Sequence, residues 1–210
     1  MSTATAADYG WIRSSTSAFS HAQEVGYGLT LVRGVTPAQV MRVMTAEHRG
    51  ECVGAAGLSQ RQSEVPWGDP FVTGAFTVPG EGGDWTLVLH FDGGVAMQSQ
   101  FLKALSAGTR TVTHSDNGGK PMRFFYWYEN GVLRTGFERP QERHGRTPDE
   151  LVPIMRAVGF DPYKDSELTA LDTTARSLAL AERLTGVRVT DELLTRSVYQ
   201  IGHVPWSWTP

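Results

Sequence analysis

The feature that most limits how this chain can fold is a dipeptide, Asn130-Gly131, set between two β-prone runs in MRFFYWYENGVLRTGFE. Both residues tolerate the positive φ that a type I′ turn demands, and a two-residue turn of this kind joins antiparallel neighbours and fixes their register. Counting outward, Tyr128 opposes Leu133, Tyr126 opposes Thr135 and Phe124 opposes Phe137 on one face, with Trp127 beside Arg134 on the other. Both faces of the hairpin carry aromatic rings.

An antiparallel sheet is the frame that the other segments must join. Tyr27 to Val32 reads as a first strand, and Phe71 to Val78 with Trp85 to Phe91 reads as a hairpin closed by PGEGGD. On the second arm Trp85, Leu87, Leu89 and Phe91 share the core face, while Thr86, Val88 and His90 share the other, because strand residues alternate. Thr109 to His114 adds a further strand. Thr36 followed by Pro37 is an N-cap with proline at the first helical position, which starts a helix over 37–47. Phe101, Leu102 and Leu105 make a short helix that Gly108 ends. The stretch from Gly50 to Asp69, rich in Gly, Ser, Gln and Pro, reads as a long loop and a pocket edge.

The last third turns helical: Asp149 to Val158, Ser166 to Leu184 with a stripe of Leu168, Leu171, Ala175, Leu178 and Ala181, then Asp191 to Tyr199. Hairpins first and helices last predict an α+β fold, with an antiparallel sheet of about five to seven strands packed on one face against helices and a C-terminal helical segment. Residues 1–8 are small and polar and are expected as a flexible N-terminus, with a single α+β domain over 9–210.

Charge and cysteine content narrow the partners. Nineteen Lys and Arg against 22 Asp and Glu give a net charge of -3, which supplies no long-range pull toward nucleic acid or an anionic membrane. Cys52 is the one cysteine, so no disulfide framework exists and a cytoplasmic location fits best. The start MSTATAADYG lacks the basic and apolar regions of a signal peptide, and nowhere do roughly 18 apolar residues follow one another.

YGLTLVRGVTPAQV, GDWTLVLHF, LKALSAGTR, the ENGVL hairpin, RHGRTPDEL and ALAERLTGVRVT, in this order, resemble a family of uncharacterised actinobacterial proteins, a domain of unknown function. The resemblance spans nearly the whole chain. It implies one domain in a bacterial cytosol and brings no activity or catalytic residue to these positions.

The residues offer several chemical candidates. His114, Ser115 and Asp116 have the residue types of a hydrolase triad, but sequence neighbours at a strand end cannot build its geometry among themselves, and a turn is the expected reading. His48 and Cys52, four apart, are too few for a zinc site, so no metal and no cofactor is expected. Arg139, Arg143, His144 and Arg146 form the densest positive stretch, followed by a helix expected to be capped at Thr147-Pro148, and are the candidate anion-binding group. Glu138 and Glu142 neutralise part of that charge. AERLTGVRVTDELLTR has the outline of a helix-turn-helix, opposed by Asp191 and Glu192 where phosphates would approach. Tyr126, Trp127, Tyr128 and Arg134 on the hairpin, with Trp206 and Trp208 in the tail, are the candidate partner-binding group if their face is exposed, with Trp127 and Arg134 as a cation-π pair.

The leading expectation is a non-catalytic protein-interaction or accessory factor that uses these aromatic residues. The alternatives are a small-molecule-binding protein or enzyme with an anionic ligand held by Arg139, Arg143 and His144, and a DNA-binding regulator.

Overall fold

The computed structural model describes residues 2–66, 70–91, 98–118, 120, 122–164 and 168–205. Asn130 and Gly131 take φ of 50° and 75°, the two positive values of a type I′ turn. They join β6 (Arg123–Glu129) to β7 (Val132–Phe137). Tyr128 faces Leu133, as the turn requires, but Trp127 then faces Thr135, Tyr126 faces Gly136 and Phe125 faces Phe137. A bulge that leaves Arg134 unopposed therefore displaces the expected pairs Tyr126–Thr135 and Phe124–Phe137.

The cause lies on the outer side of β7. The carbonyl of Leu133 accepts from the Arg146 amide at 3.0 Å and that of Arg134 from the Thr147 amide at 2.9 Å. Consecutive carbonyls of a regular strand alternate in direction, so pointing both outward breaks the inner ladder. Gly136 and His144 exchange two further bonds of 2.8 Å, and residues 143–147 thereby cover this sheet edge. Gly145 permits the approach, because it has φ of 121° and a Cβ there would lie 2.5 Å from the Arg134 carbonyl oxygen.

The remaining strands are β1 (Tyr27–Arg33), β2 (Glu47–Val53), β3 (Phe71–Gly80), β4 (Gly83–Phe91), β5 (Arg110–Asp116) and β8 (Val198–Val204). Among the described residues they form one antiparallel sheet of eight strands in the order β2-β8-β3-β4-β1-β5-β6-β7. The fold is α+β as expected, but the sheet exceeds five to seven strands because β2 and β8, which pair with each other, escape the sequence pattern. β2 is an edge strand with almost every residue exposed, so it carries no apolar alternation to detect. The expected 50–69 loop is instead the end of β2 and α3 (Gly54–Ser63), with residues 67–69 outside the described residues. The helix expected to reach Tyr199 stops at Arg196, and Ser197, extended at φ -65°, ψ 148°, leads into β8.

Helices cover both faces of the sheet, not one. On the first face Leu29, Leu31, Leu87, Leu89, Phe125 and Phe137 pack with α6 (Ala170–Thr185), α5 (Val152–Ala157), α3 and α7 (Asp191–Arg196). On the second face Val32, Ala75 and Val88 meet Val40 and Met41 of α2 (Pro37–Val43) and Phe101 and Leu105 of α4 (Ser99–Leu105). His90 is accordingly buried, as are Thr30 and Thr113, whose hydroxyls bond at 2.9 Å. The Thr30–Thr113 pair gives each of these two buried hydroxyls a partner.

The stripe Ala175, Leu178 and Ala181 is buried as expected, with Leu168 and Leu171 partly buried; Ser166 and Glu167 lie outside the described residues. α6 buries its far side too, because the N-terminal 3₁₀ segment Ala6–Arg13 lies along it. The hydroxyls of Ser2 and Tyr9 both donate to Glu182 at 2.8 Å, and Arg183 Nε donates to the Ala4 carbonyl at 2.6 Å. Thr36 caps α2 through the Gln39 amide, as its place before proline predicts.

Candidate functional site

One end of the sheet gathers the last residue of β1, the β3–β4 turn, the first residue of β5 and the far end of β6. α5 and the C-terminus of α6 stand over this end and leave a cleft of ≈470 Å³. Trp85, Trp127, Leu151, Ile154 and Leu184 supply its apolar wall. Arg33, Arg110, Arg183, Glu81 and Glu150 supply its charges. A second depression of ≈470 Å³ shares Arg33 and Arg110 and continues over Gly34, Thr109, Glu129 and Asn130.

The bulge at Arg134 shapes this cleft. It puts the Arg134 guanidinium 5.3 Å from the centre of the Trp127 ring, with Arg110 at 5.5 Å, so the expected cation-π pair is formed. A row of alternating charge follows: Arg110 Nη2 lies 2.5 Å from Glu129, Arg134 Nη1 3.7 Å from Glu129 and Arg134 Nη2 2.5 Å from Glu150. Bonds from Arg134 and Thr147 hold the Glu150 carboxyl below the ordinary carboxylate range. Trp127 is only 3% exposed, and its indole Nε1 is buried without a hydrogen-bond partner.

The expected partner-binding residues separate. Trp127 and Arg134 lie on the first face under the helices, not on an outer face. Tyr126 and Tyr128 lie on the second face, where Tyr126 stacks on Phe124 at 5.8 Å and Tyr128 is buried. Trp206 and Trp208 lie outside the described residues.

The expected anion-binding residues form the edge cover of β7. Arg143 donates to Asp149 at 2.5 Å and to the carbonyl of Pro162 at 2.6 Å, Arg139 lies 3.8 Å from Glu142, and His144 pairs through its backbone. Arg146 is exposed. Thr147 caps no helix, because α5 starts at Val152 with no side-chain cap. None of the four lines the cleft. Of the residues that do, Trp127 was among the sequence candidates; the others were missed because they are scattered in sequence. Their signal was positional: Arg33 closes its strand before Gly34, and Arg110 opens its strand just after Gly108, so antiparallel pairing of those strands brings both to one end.

His114, Ser115 and Asp116 belong to β5 and not to a turn. Ser115 points to the second face, Asp116 takes Arg123 at 2.6 Å, and His114 Nδ1 lies 2.8 Å from the Tyr27 hydroxyl. Burial, with a smaller contribution from Arg123, pushes the His114 pKa down to about 3, so the ring is neutral at ordinary pH. Burial also raises the Tyr27 phenol. This pair is sealed in the core and meets no opening.

His48 and Cys52 sit on β2, not on a helix. Among the described residues no three His, Cys, Asp or Glu converge as a metal-holding group, and no helix is long and apolar enough to cross a membrane. In the helix-turn-helix outline, Gly186 ends α6 at φ 69° and Thr190 caps α7. Arg188 pairs with Asp8, and Arg196 with Glu192.

Sheet and cleft together define an α+β protein with a depression that is apolar at its wall and arginine-rich at its rim. The chain belongs to the family of unknown function DUF6461, which it matches over residues 2–208. No curated protein and no solved structure matches it.

Proposed function

We propose that this protein binds a small molecule that carries an anionic group, in the cleft between the sheet end and α5 and α6. The observation that carries this reading is the ≈470 Å³ cleft with its tryptophan and leucine wall and its arginine rim, the composition of a small-ligand site. The single half-buried Cys52, which has no disulfide partner, supports a cytoplasmic setting.

The small-molecule fraction of a cell extract is expected to raise the melting temperature of the wild type. Saturation at a hundred times Kd stabilises by about 2.7 kcal/mol, which is about 5–10 °C for a chain of this size. Ile154→Trp, which fills the cleft from its partly exposed wall, is expected to fold and to lose that shift. An equal shift in both proteins would contradict the reading.

A protein partner is the second reading. Val53 and Val198 face each other at the open edge of the sheet, 64% and 52% exposed, and exposed apolar pairs of this kind favour contact. A partner recovered by the wild type should be lost from the Val53→Asp, Val198→Asp double variant; its retention would remove this surface from consideration.

A further inference from the structure

Most of the charge around the cleft is already paired. Arg110 holds Glu129 and donates to the Leu184 carbonyl at 3.1 Å. Arg183 holds the carbonyls of Ala4 and Thr3, and Glu150 holds Arg134. Arg33 and Glu81 remain: both are exposed, and neither side chain has a hydrogen bond or ion pair among the described residues. They do not pair with each other, yet they stand together. Gly82, next to Glu81, has φ of 75°, and a Cβ there would overlap Arg33 Nη2, so the guanidinium rests on the turn that carries Glu81. One free positive and one free negative group thus flank the mouth above Trp85, Ile154 and Leu184.

We infer that the ligand is a zwitterion, an α-amino acid with an apolar side chain. This rests on the small-molecule reading above and names its ligand class. The guanidinium fork matches a carboxylate with two parallel bonds, and the Glu81 carboxylate accepts from an ammonium. An α-amino acid carries those two groups on one carbon, as neighbouring free charges of opposite sign require. A simple anion would satisfy Arg33 and bring its own charge against Glu81. The apolar side chain enters the cleft and removes its area, and that of the wall, from water.

Tryptophan fluorescence titration with the apolar proteinogenic α-amino acids, L-phenylalanine and L-leucine among them, tests this against two analogues, 3-phenylpropionate without the ammonium and phenethylamine without the carboxylate. At least one amino acid is expected to bind. Loss of either charged contact, in an analogue or in Arg33→Ala or Glu81→Gln, should weaken it about ten- to a hundredfold. Gly82→Ala keeps both charges, displaces the guanidinium and should weaken binding as well. Circular dichroism establishes that the variants fold. If 3-phenylpropionate binds as tightly as phenylalanine and Glu81→Gln changes nothing, the zwitterion is overturned and the anionic-ligand reading stands. The zwitterion is overturned too if no amino acid binds while extract still raises the melting temperature through the cleft. If no amino acid binds and extract leaves the melting temperature unchanged, both readings fail.

Discussion

Trp85→Ala is expected to melt about 6–20 °C below the wild type, the equivalent of a loss of about 3–5 kcal/mol for a large buried aromatic in a chain of this length. Trp85 is among the largest fully buried side chains, sits opposite Arg33 and Val78 on neighbouring strands, and donates its indole N–H to the Glu81 carbonyl at 3.2 Å. Truncation removes that bond and opens a void beside the cleft, where the hairpin turn can close in only in part. Trp85→Phe keeps most of the ring and should recover more than half of the loss. Differential scanning calorimetry reads both variants. A melting temperature for Trp85→Ala within about 2 °C of the wild type would show that this end of the core does not depend on the indole.

Stability is expected to fall steeply as the pH drops from neutral, through His114. The ordinary histidine pKa is about 6.5 in the unfolded chain, and burial holds it at about 3 in the fold. Below the unfolded value the unfolded chain takes the proton and the folded one does not, so the contribution of neutral His114 is complete above pH 6.5 and is lost as the pH falls toward about 3. The loss is about 2 kcal/mol at pH 5 and about 4 kcal/mol near pH 3.5, from 1.36 kcal/mol per unit of pKa difference. Asp116, whose carboxyl burial raises against the opposing pull of Arg123, takes its proton first in the folded state and works the other way in the carboxylate range. Urea unfolding at neutral pH and at pH 5 measures the slope. His114→Gln, which keeps a hydrogen-bonding partner for the Tyr27 hydroxyl, should remove most of it; equal slopes in the two proteins would contradict the assignment.

What the sequence discloses depends on how local the cause is. The type I′ turn at Asn130-Gly131 and the cap at Thr36 were legible because each is set by a few adjacent residues. The register beyond Tyr128 was not, because the bulge at Arg134 comes from residues 143–147, which take two consecutive carbonyls of β7 from outside. β2 was hidden by an exposed edge that needs no apolar face, and β8 by a run that continues a helical pattern until Ser197. Residue density also misled. Arg139, Arg143, His144 and Arg146 are close in sequence and serve the sheet edge, while Arg33, Arg110 and Arg183 are far apart in sequence and meet at one cleft. The triad-like His114-Ser115-Asp116 is divided by strand alternation between two faces.

The most direct measurement of the cleft assignment is a ¹⁵N–¹H spectrum of the indole N–H groups, recorded while the small-molecule fraction that raises the melting temperature is added. The chain has 6 tryptophans, and Trp85→Phe and Trp127→Phe assign the two that line the cleft. The account predicts that the signals of Trp85 and Trp127 move together and saturate while Trp11 stays in place. Saturable binding that leaves both unmoved would place the ligand elsewhere and contradict the account.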